Sequence, residues 1–302
     1  MLLFTIWPLF ALILLGYVLR RAGFPSAGFW PAAEQLTYFV LFPALLVATL
    51  ADAPVRDPGL LRLGGAAIAT ICLAAAALAL ARRGLPVPAA RFGPALQGVV
   101  RFNTYLGLAV VASLAGTPGL ERAAVYLAVA VPLVNVLSIL ALTDAHPARG
   151  PLTLLRTVLR NPLILACAAG FALALTGIGL PYGTGRFLDL LGQGSLPLGL
   201  LCVGAALRPA AIRRDIGVLA GLGALRLLAM PVLAALTGRL LGLGEAELLV
   251  LVVFSAIPTA PTSYVLTRQL KGDGTLMAGL VTAQTLAAVV TIPLVLTGLG
   301  IG

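Results

Sequence analysis

The chain has 302 residues, 60% of them hydrophobic and 10% charged, with a mean hydropathy of +1.07. That balance excludes a soluble domain, and the long, non-alternating apolar runs exclude a membrane β-barrel. A net charge of +10 would suit a nucleic-acid binder. No polar segment interleaves aromatic and basic residues, however, so the excess Arg is assigned to loops flanking membrane spans.

Lipid leaves no backbone group unsatisfied without cost, so the spans must be helices of about 20 apolar residues each. Ten are read, at 2–19, 33–50, 61–81, 94–115, 123–143, 163–178, 187–207, 216–240, 248–266 and 276–299. The first has no basic residue before its apolar run and no small-residue cleavage site. It reads as a retained helix and not as a signal peptide. The second carries Pro43, the fifth Pro132, Asn135 and Ser138, the seventh Pro197, the eighth Arg226 and Pro231, and the ninth Pro258 and Pro261.

The fourth run is interrupted by Arg101-Phe102-Asn103-Thr104-Tyr105-Leu106-Gly107. Polar groups at that depth must face protein or water. The stretch reads as the broken centre of a helix that meets a ligand. A polar seam between helices would also place Asn and Thr there.

With the N-terminus outside, thirteen of the twenty Lys and Arg fall on inner loops, among them Arg20, Arg82, Arg91, Arg149, Arg160 and Arg208. Five fall on outer ends: Arg56, Arg62, Arg122, Arg186 and Arg239. That asymmetry predicts both termini outside the cytoplasm, in a multi-pass cell (inner) membrane protein.

The chain also repeats. Gly23-Phe24-Pro25 recurs as Gly179-Leu180-Pro181, Pro43 pairs with Pro197, and Asn103 pairs with Pro258, all at offsets near 155. Two homologous halves follow, 1–145 and 152–302. Each has an odd number of spans, so the second half is inverted. Interrupted helices at matching positions of inverted repeats mark secondary transporters that bind substrate near the midplane.

Half-helix N-termini expose N–H groups and carry partial positive charge, which suits an anion. Hydrogen bonds would come from Asn103, Thr104, Tyr105, Asn135, Ser138, Thr259, Thr262 and Ser263, with Pro258 holding the second break open. Ser138 follows Asn135 by three, on one helix face, where a helix–helix contact serves equally well. Arginine inside a span costs about 2.5–3.5 kcal/mol. Arg101 lies near enough to the inner end to snorkel, and whether it faces the cavity stays open. Arg226 is read as a cavity-facing or helix-terminus cation.

Every acidic residue lies in a loop or near a span end. That weakens cation exchange, which needs carboxylates at the midplane. Cys72, Cys167 and Cys202 sit in apolar runs without CxxC spacing and read as core residues. His146 beside Pro147 has no His or Cys partner. Neither a metal nor a cofactor is expected, and nothing resembles a catalytic constellation, so an enzyme is not expected either.

These residues resemble the auxin efflux carrier family over essentially the whole chain. The resemblance rests on Gly23-Phe24-Pro25, Phe39-Val40-Leu41-Phe42-Pro43, Asn103-Thr104 with Gly107, Arg160-Asn161-Pro162, and Ala256-Ile257-Pro258. It implies an elevator-type transporter with a sodium–proton antiporter/bile-acid-symporter-like fold. Spans 1, 2, 6 and 7 would form a scaffold domain, with a homodimer through it as a further expectation. Spans 3–5 and 8–10 would form a transport domain, with spans 4 and 9 crossing at their breaks. The implied substrates are small organic anions, either an auxin-like monocarboxylate or a dicarboxylate such as malonate or malate. Phe102 replaces the proline of plant members, and the loop from Asp144 to Pro162 is short, which points to a bacterial-type member. A sodium-coupled symporter of bile-acid type is the nearest alternative. A non-transporting sensor is a more remote one.

Overall fold

The computed structural model describes residues 2–26, 28–51, 57–85, 87–142 and 161–301. Arg56, Asp144, His146, Pro147, Arg149 and Arg160, used above, fall outside them. All regular structure among the described residues is helical. In chain order the α-helices are α1 (Leu2–Arg21), α2 (Phe29–Leu36), α3 (Phe42–Ala51), α4 (Pro58–Gly84), α5 (Ala89–Val100) and α6 (Thr104–Leu142). Then come α7 (Pro162–Thr176), α8 (Thr184–Ala206), α9 (Ile216–Ala224), α10 (Met230–Leu240), α11 (Glu245–Ala256), α12 (Thr262–Gln269) and α13 (Gly274–Gly298).

Local chemistry sets the boundaries. Asp57 and Asn161 cap α4 and α7 with their side-chain oxygens, each followed by proline at the first helical position. That proline has no N–H to satisfy and a preset φ, so it starts a helix cleanly. Gly116, at φ 58° and ψ −150°, breaks α6 into two segments, a conformation a side chain would resist. Wide π-turns at Thr37–Leu41 and Leu225–Ala229 precede Pro43 and Pro231, whose rings remove a donor from the ladder. Pro197, paired with Pro43 in the sequence, lies within an uninterrupted α8.

Among the described residues seven candidate membrane spans are long and apolar enough to cross a bilayer, as expected of a multi-pass membrane protein. One of them, Ala89–Leu142, has 54 residues. At about 1.5 Å per residue that is far more than one crossing requires. Contacts at the two ends of the bundle fix which helix ends lie together. At one end Arg91 pairs with Asp215 at 2.7 Å, the Asp273 N–H donates to the Ala90 carbonyl at 2.7 Å, and Arg208 lies over the Tyr264 ring. At the other end Arg122 pairs with Glu247 at 2.6 Å and lies 4.0 Å from Asp57, while Arg239 donates to the Leu299 carbonyl.

Two packing groups are distinct. In one, α1 runs against α8, and α3 against α7 and α8. A Cβ at Gly16 would lie 2.0 Å from the Leu201 carbonyl oxygen, and one at Gly204 would lie 1.7 Å from that of Ile13. The α1 and α8 backbones are therefore in direct contact, as small residues allow where no water drives helices together. In the other, α4, α5, α6, α10 and α11 enclose a core of Leu63, Val110, Leu127, Val252 and Phe254. The groups meet along α6, where the Tyr105 ring stacks on Phe42 at 4.6 Å.

Candidate functional site

Two interrupted helices meet in the middle of the molecule. The first is α5, the break 101–103 and α6. The second is α11, the break 257–261 and α12. Both α5 and α11 have 12 residues, and they stop in the same way. Arg101 turns extended at φ −80°, ψ 154°, and Ile257 at φ −79°, ψ 155°. Ile257 does so because the residue before a proline is pushed out of the helical region. Ile257 follows Arg101 by 156 positions, the offset of the two Gly-x-Pro turns. By backbone, then, Phe102 corresponds to Pro258 and Asn103 to Thr259. The sequence pairing of Asn103 with Pro258 was one residue out.

Four devices tie the breaks together. The Asn103 N–H donates to the Pro258 carbonyl at 2.9 Å. The Thr259 hydroxyl donates to the Gln97 carbonyl at 2.9 Å. Gln284, in the middle of α13, accepts from the Thr259 N–H and donates to the Gly98 carbonyl, both at 2.9 Å. The fourth is Arg226, 1% exposed. Its Nε donates to the Ile257 carbonyl at 2.7 Å, its Nη1 to that of Val99 at 3.0 Å, and its Nη2 to that of Phe254. The Val99 and Phe254 carbonyls belong to the last turns of α5 and α11, and that of Ile257 to the residue that caps α11, where a helix dipole is negative. Arg226 therefore serves the helix termini and does not line the cavity.

The donors freed by the breaks lie on the other side. Asn103 Oδ1 caps α6 by accepting from the N–H groups of Tyr105 and Leu106, at 3.1 and 3.2 Å. Its Nδ2 is buried without a partner, as are the Tyr105 hydroxyl and Ser263 Oγ. An orphaned buried donor is costly, and a native protein tolerates one where a ligand completes it. Asn103, Thr104, Tyr105 and Thr262 line a narrow cleft of about 30 Å³. Through Tyr38, Thr104 and Thr262 it adjoins a cavity of about 610 Å³.

That cavity runs between α2, the first break, the C-terminal half of α6 and α12 toward the end of the bundle that holds Arg91 and Asp273. Its walls include Phe39, Phe102, Val131, Leu163 and Val265, and its polar groups include Glu34, Arg101, Asn135 and Gln269.

Of the residues expected from sequence, Asn103, Thr104, Tyr105, Asn135 and Thr262 are brought together on this connected space. Pro258 and Thr259 sit at the crossing itself, with their polar groups engaged by the opposite helix and by Gln284. Ser138 is buried and donates to the Val134 carbonyl of its own helix, so the Asn135–Ser138 pair does not act jointly on the cavity. Arg101, left open by the sequence, lines the cavity, with Nη1 3.3 Å from Gln97 Oε1.

Gln97 and Gln284 were missed. Each is an amide within an apolar run, as costly there as Asn103. Glu34 and Tyr38 were missed although both fall within the expected second span: Glu34 read as a span-end charge, whereas α2 and the wide turn after it set both in the cavity wall.

No curated protein matches the chain. Residues 151–296 match the family model described as membrane transport protein, the family of the auxin efflux carriers. The match covers the half that contains Arg226, the second break and Gln284. That family is one of membrane transporters. The second half of this chain is thus similar to the membrane transport protein family.

Proposed function

We propose that the protein is a secondary transporter of small organic anions that works by an elevator form of alternating access. The observation that carries this reading is the group of unpartnered donors, Asn103 Nδ2 and the Tyr105 hydroxyl, on the cleft where the cavity meets two broken helices. The N-terminus of α6 points its positive end at the same place. Counting Ala89–Leu142 as two crossings, and adding α7 and the broken pair α11–α12 to the other candidates, gives ten spans. The matched stops at Arg101 and Ile257 support two inverted five-helix repeats. The group of α1, α3, α7 and α8 suits a scaffold, and the group around the crossing suits the part that moves. The cavity opens toward the end rich in Arg, which the positive-inside rule assigns to the cytoplasm, so this is an inward-open state. A bacterial-type member of the inner membrane fits the short inter-half loop.

The test is uptake of radiolabelled mono- and dicarboxylates into proteoliposomes, with and without a sodium gradient. Protein-dependent uptake of an organic anion without sodium is expected. Uptake of none of them would refute the anion reading, and strict sodium dependence would favour a symporter of bile-acid type.

A further inference from the structure

A second cavity, of about 710 Å³, lies away from the crossing, between the end of α4, the start of α5 and α9. Its lining is sorted along all three helices. Arg82 lies in the last turn of α4, Arg91 in the first turn of α5, and Asp215 is the N-cap of α9. Leu78 stands one turn further into α4, Ala95 one turn further into α5, and Val218 and Leu225 follow along α9 and the π-turn after it. The charges therefore share one end of the cavity, and the apolar wall runs from them into the membrane-spanning parts of the helices. That wall faces outward. Val218 and Leu225 are exposed, and a Cβ added at Gly221, between them, would meet no atom within 4 Å.

At the charged end Arg82 is held in place. Its Nε donates to the Val87 carbonyl at 3.0 Å, and its guanidinium lies over the Phe92 ring, 4.6 Å from the centroid. Arg91 pairs with Asp215 at 2.7 Å and lies 3.9 Å from Asp273. Pro88, the N-cap of α5, also lines the cavity, so the positive pole of that helix opens on it. Two cations thus stand against one carboxylate in the lining, at the end assigned above to the cytoplasm. We infer that this cavity is a binding site for one anionic phospholipid of the inner leaflet. An acyl chain lies along Val218, Gly221 and Leu225, and the phosphodiester sits at Arg82 and the start of α5. Basic pockets between membrane helices on the cytoplasmic side hold anionic headgroups in this way. A zwitterionic lipid would fill the apolar part equally well but brings no net charge to the cationic end. One arginine close to an anionic lipid is worth about fivefold in affinity. The inference rests on the membrane spans and their orientation, and not on the substrate bound at the crossing.

The experiment titrates the purified, delipidated full chain in detergent with dioleoylphosphatidylglycerol or dioleoylphosphatidylcholine and counts bound lipid by native mass spectrometry. The parent should hold one phosphatidylglycerol about fivefold or more tighter than phosphatidylcholine. Arg82→Gln should remove most of that preference, and Arg82→Lys should keep most of it; the Lys variant decides the point if the Gln variant does not fold. Arg83→Gln changes the adjacent arginine, which is not in the lining, and should stay within about twofold of the parent. Gly221→Leu sets a side chain in the space of the acyl chain without meeting a protein atom. It should weaken both lipids by about tenfold, the worth of about two buried methylenes, with the Tm unchanged. Equal binding of the two lipids by the parent overturns the inference. So does a loss at Arg83→Gln as large as that at Arg82→Gln, which is diffuse surface attraction, or undiminished lipid binding by Gly221→Leu. None of these results bears on anion uptake, so the transporter reading stands or falls separately.

Discussion

Replacing Arg226 with Met tests how the crossing is held. The substitution keeps the apolar stem and removes a guanidinium that donates to Ile257, Val99 and Phe254. The carbonyls remain, because backbone cannot be mutated away, and the side chain that reaches them is only 1% exposed. Each orphaned carbonyl costs about 1–3 kcal/mol by soluble-protein measures, or about 3–9 kcal/mol for three. Interhelical hydrogen bonds inside membranes average nearer 0.6 kcal/mol, which sets a floor of about 2 kcal/mol. Relief from desolvating the cation works in the opposite direction. Loss of the favourable cation at two helix C-termini adds about 0.3–2 kcal/mol to the damage. A net loss of about 3–5 kcal/mol follows. At about 2 °C per kcal/mol for a chain of this size, the Tm in detergent should fall by about 6–10 °C. Arg226→Lys keeps the charge but lacks the planar fork, so it should fall about halfway. Differential scanning fluorimetry reads both variants. A Met variant within about 2 °C of the parent, with full transport, would refute the clamp.

Other outcomes follow from the same geometry. Gln284→Leu should impair transport more than expression, because it frees the Thr259 N–H and the Gly98 carbonyl and loosens the crossing; unaltered uptake would contradict this. Tyr105→Phe removes a hydroxyl that has no partner, so the Tm should hold or rise by a degree or two while anion affinity falls. A clear loss of stability would mean that the hydroxyl is engaged. Cysteines placed at the exposed Ser26 and Thr117 should label from opposite faces, Ser26 from the cytoplasm; labelling from one face would break the ten-span topology.

The membrane class and most spans were legible because apolar length is a strong signal that does not depend on neighbours. The first break was legible too, since Asn103 and Thr104 are conspicuous where lipid-facing chain should be apolar. The second was marked by Pro258, which removes a donor whatever surrounds it. What sequence could not settle was direction. Arg226 has the composition of an anion site, yet its three donors face helix-end carbonyls, and only the placing of Arg226 beside the ends of both α5 and α11 decides that. Arg101 was the reverse case. Its nearness to the inner surface suggested snorkelling, but the extended backbone at the break places it on the cavity. Ser138 failed for a third reason. Three-residue spacing puts it beside Asn135, but its hydroxyl is satisfied by the carbonyl one turn back, a bond open to any buried helical serine.

The central claim is that an organic anion completes the unpartnered amide of Asn103. Asn103→Asp keeps the shape and the Oδ1 cap of α6 while setting a negative charge at the cleft. Binding of the preferred anion should be measured for parent and variant by scintillation proximity, with monodispersity in detergent as the folding control. The account predicts a well-folded variant with binding abolished, and Asn103→Ala should weaken binding by about ten- to a hundredfold, the worth of one hydrogen bond to a charged group. An Asp variant that binds the anion as tightly as the parent would contradict it.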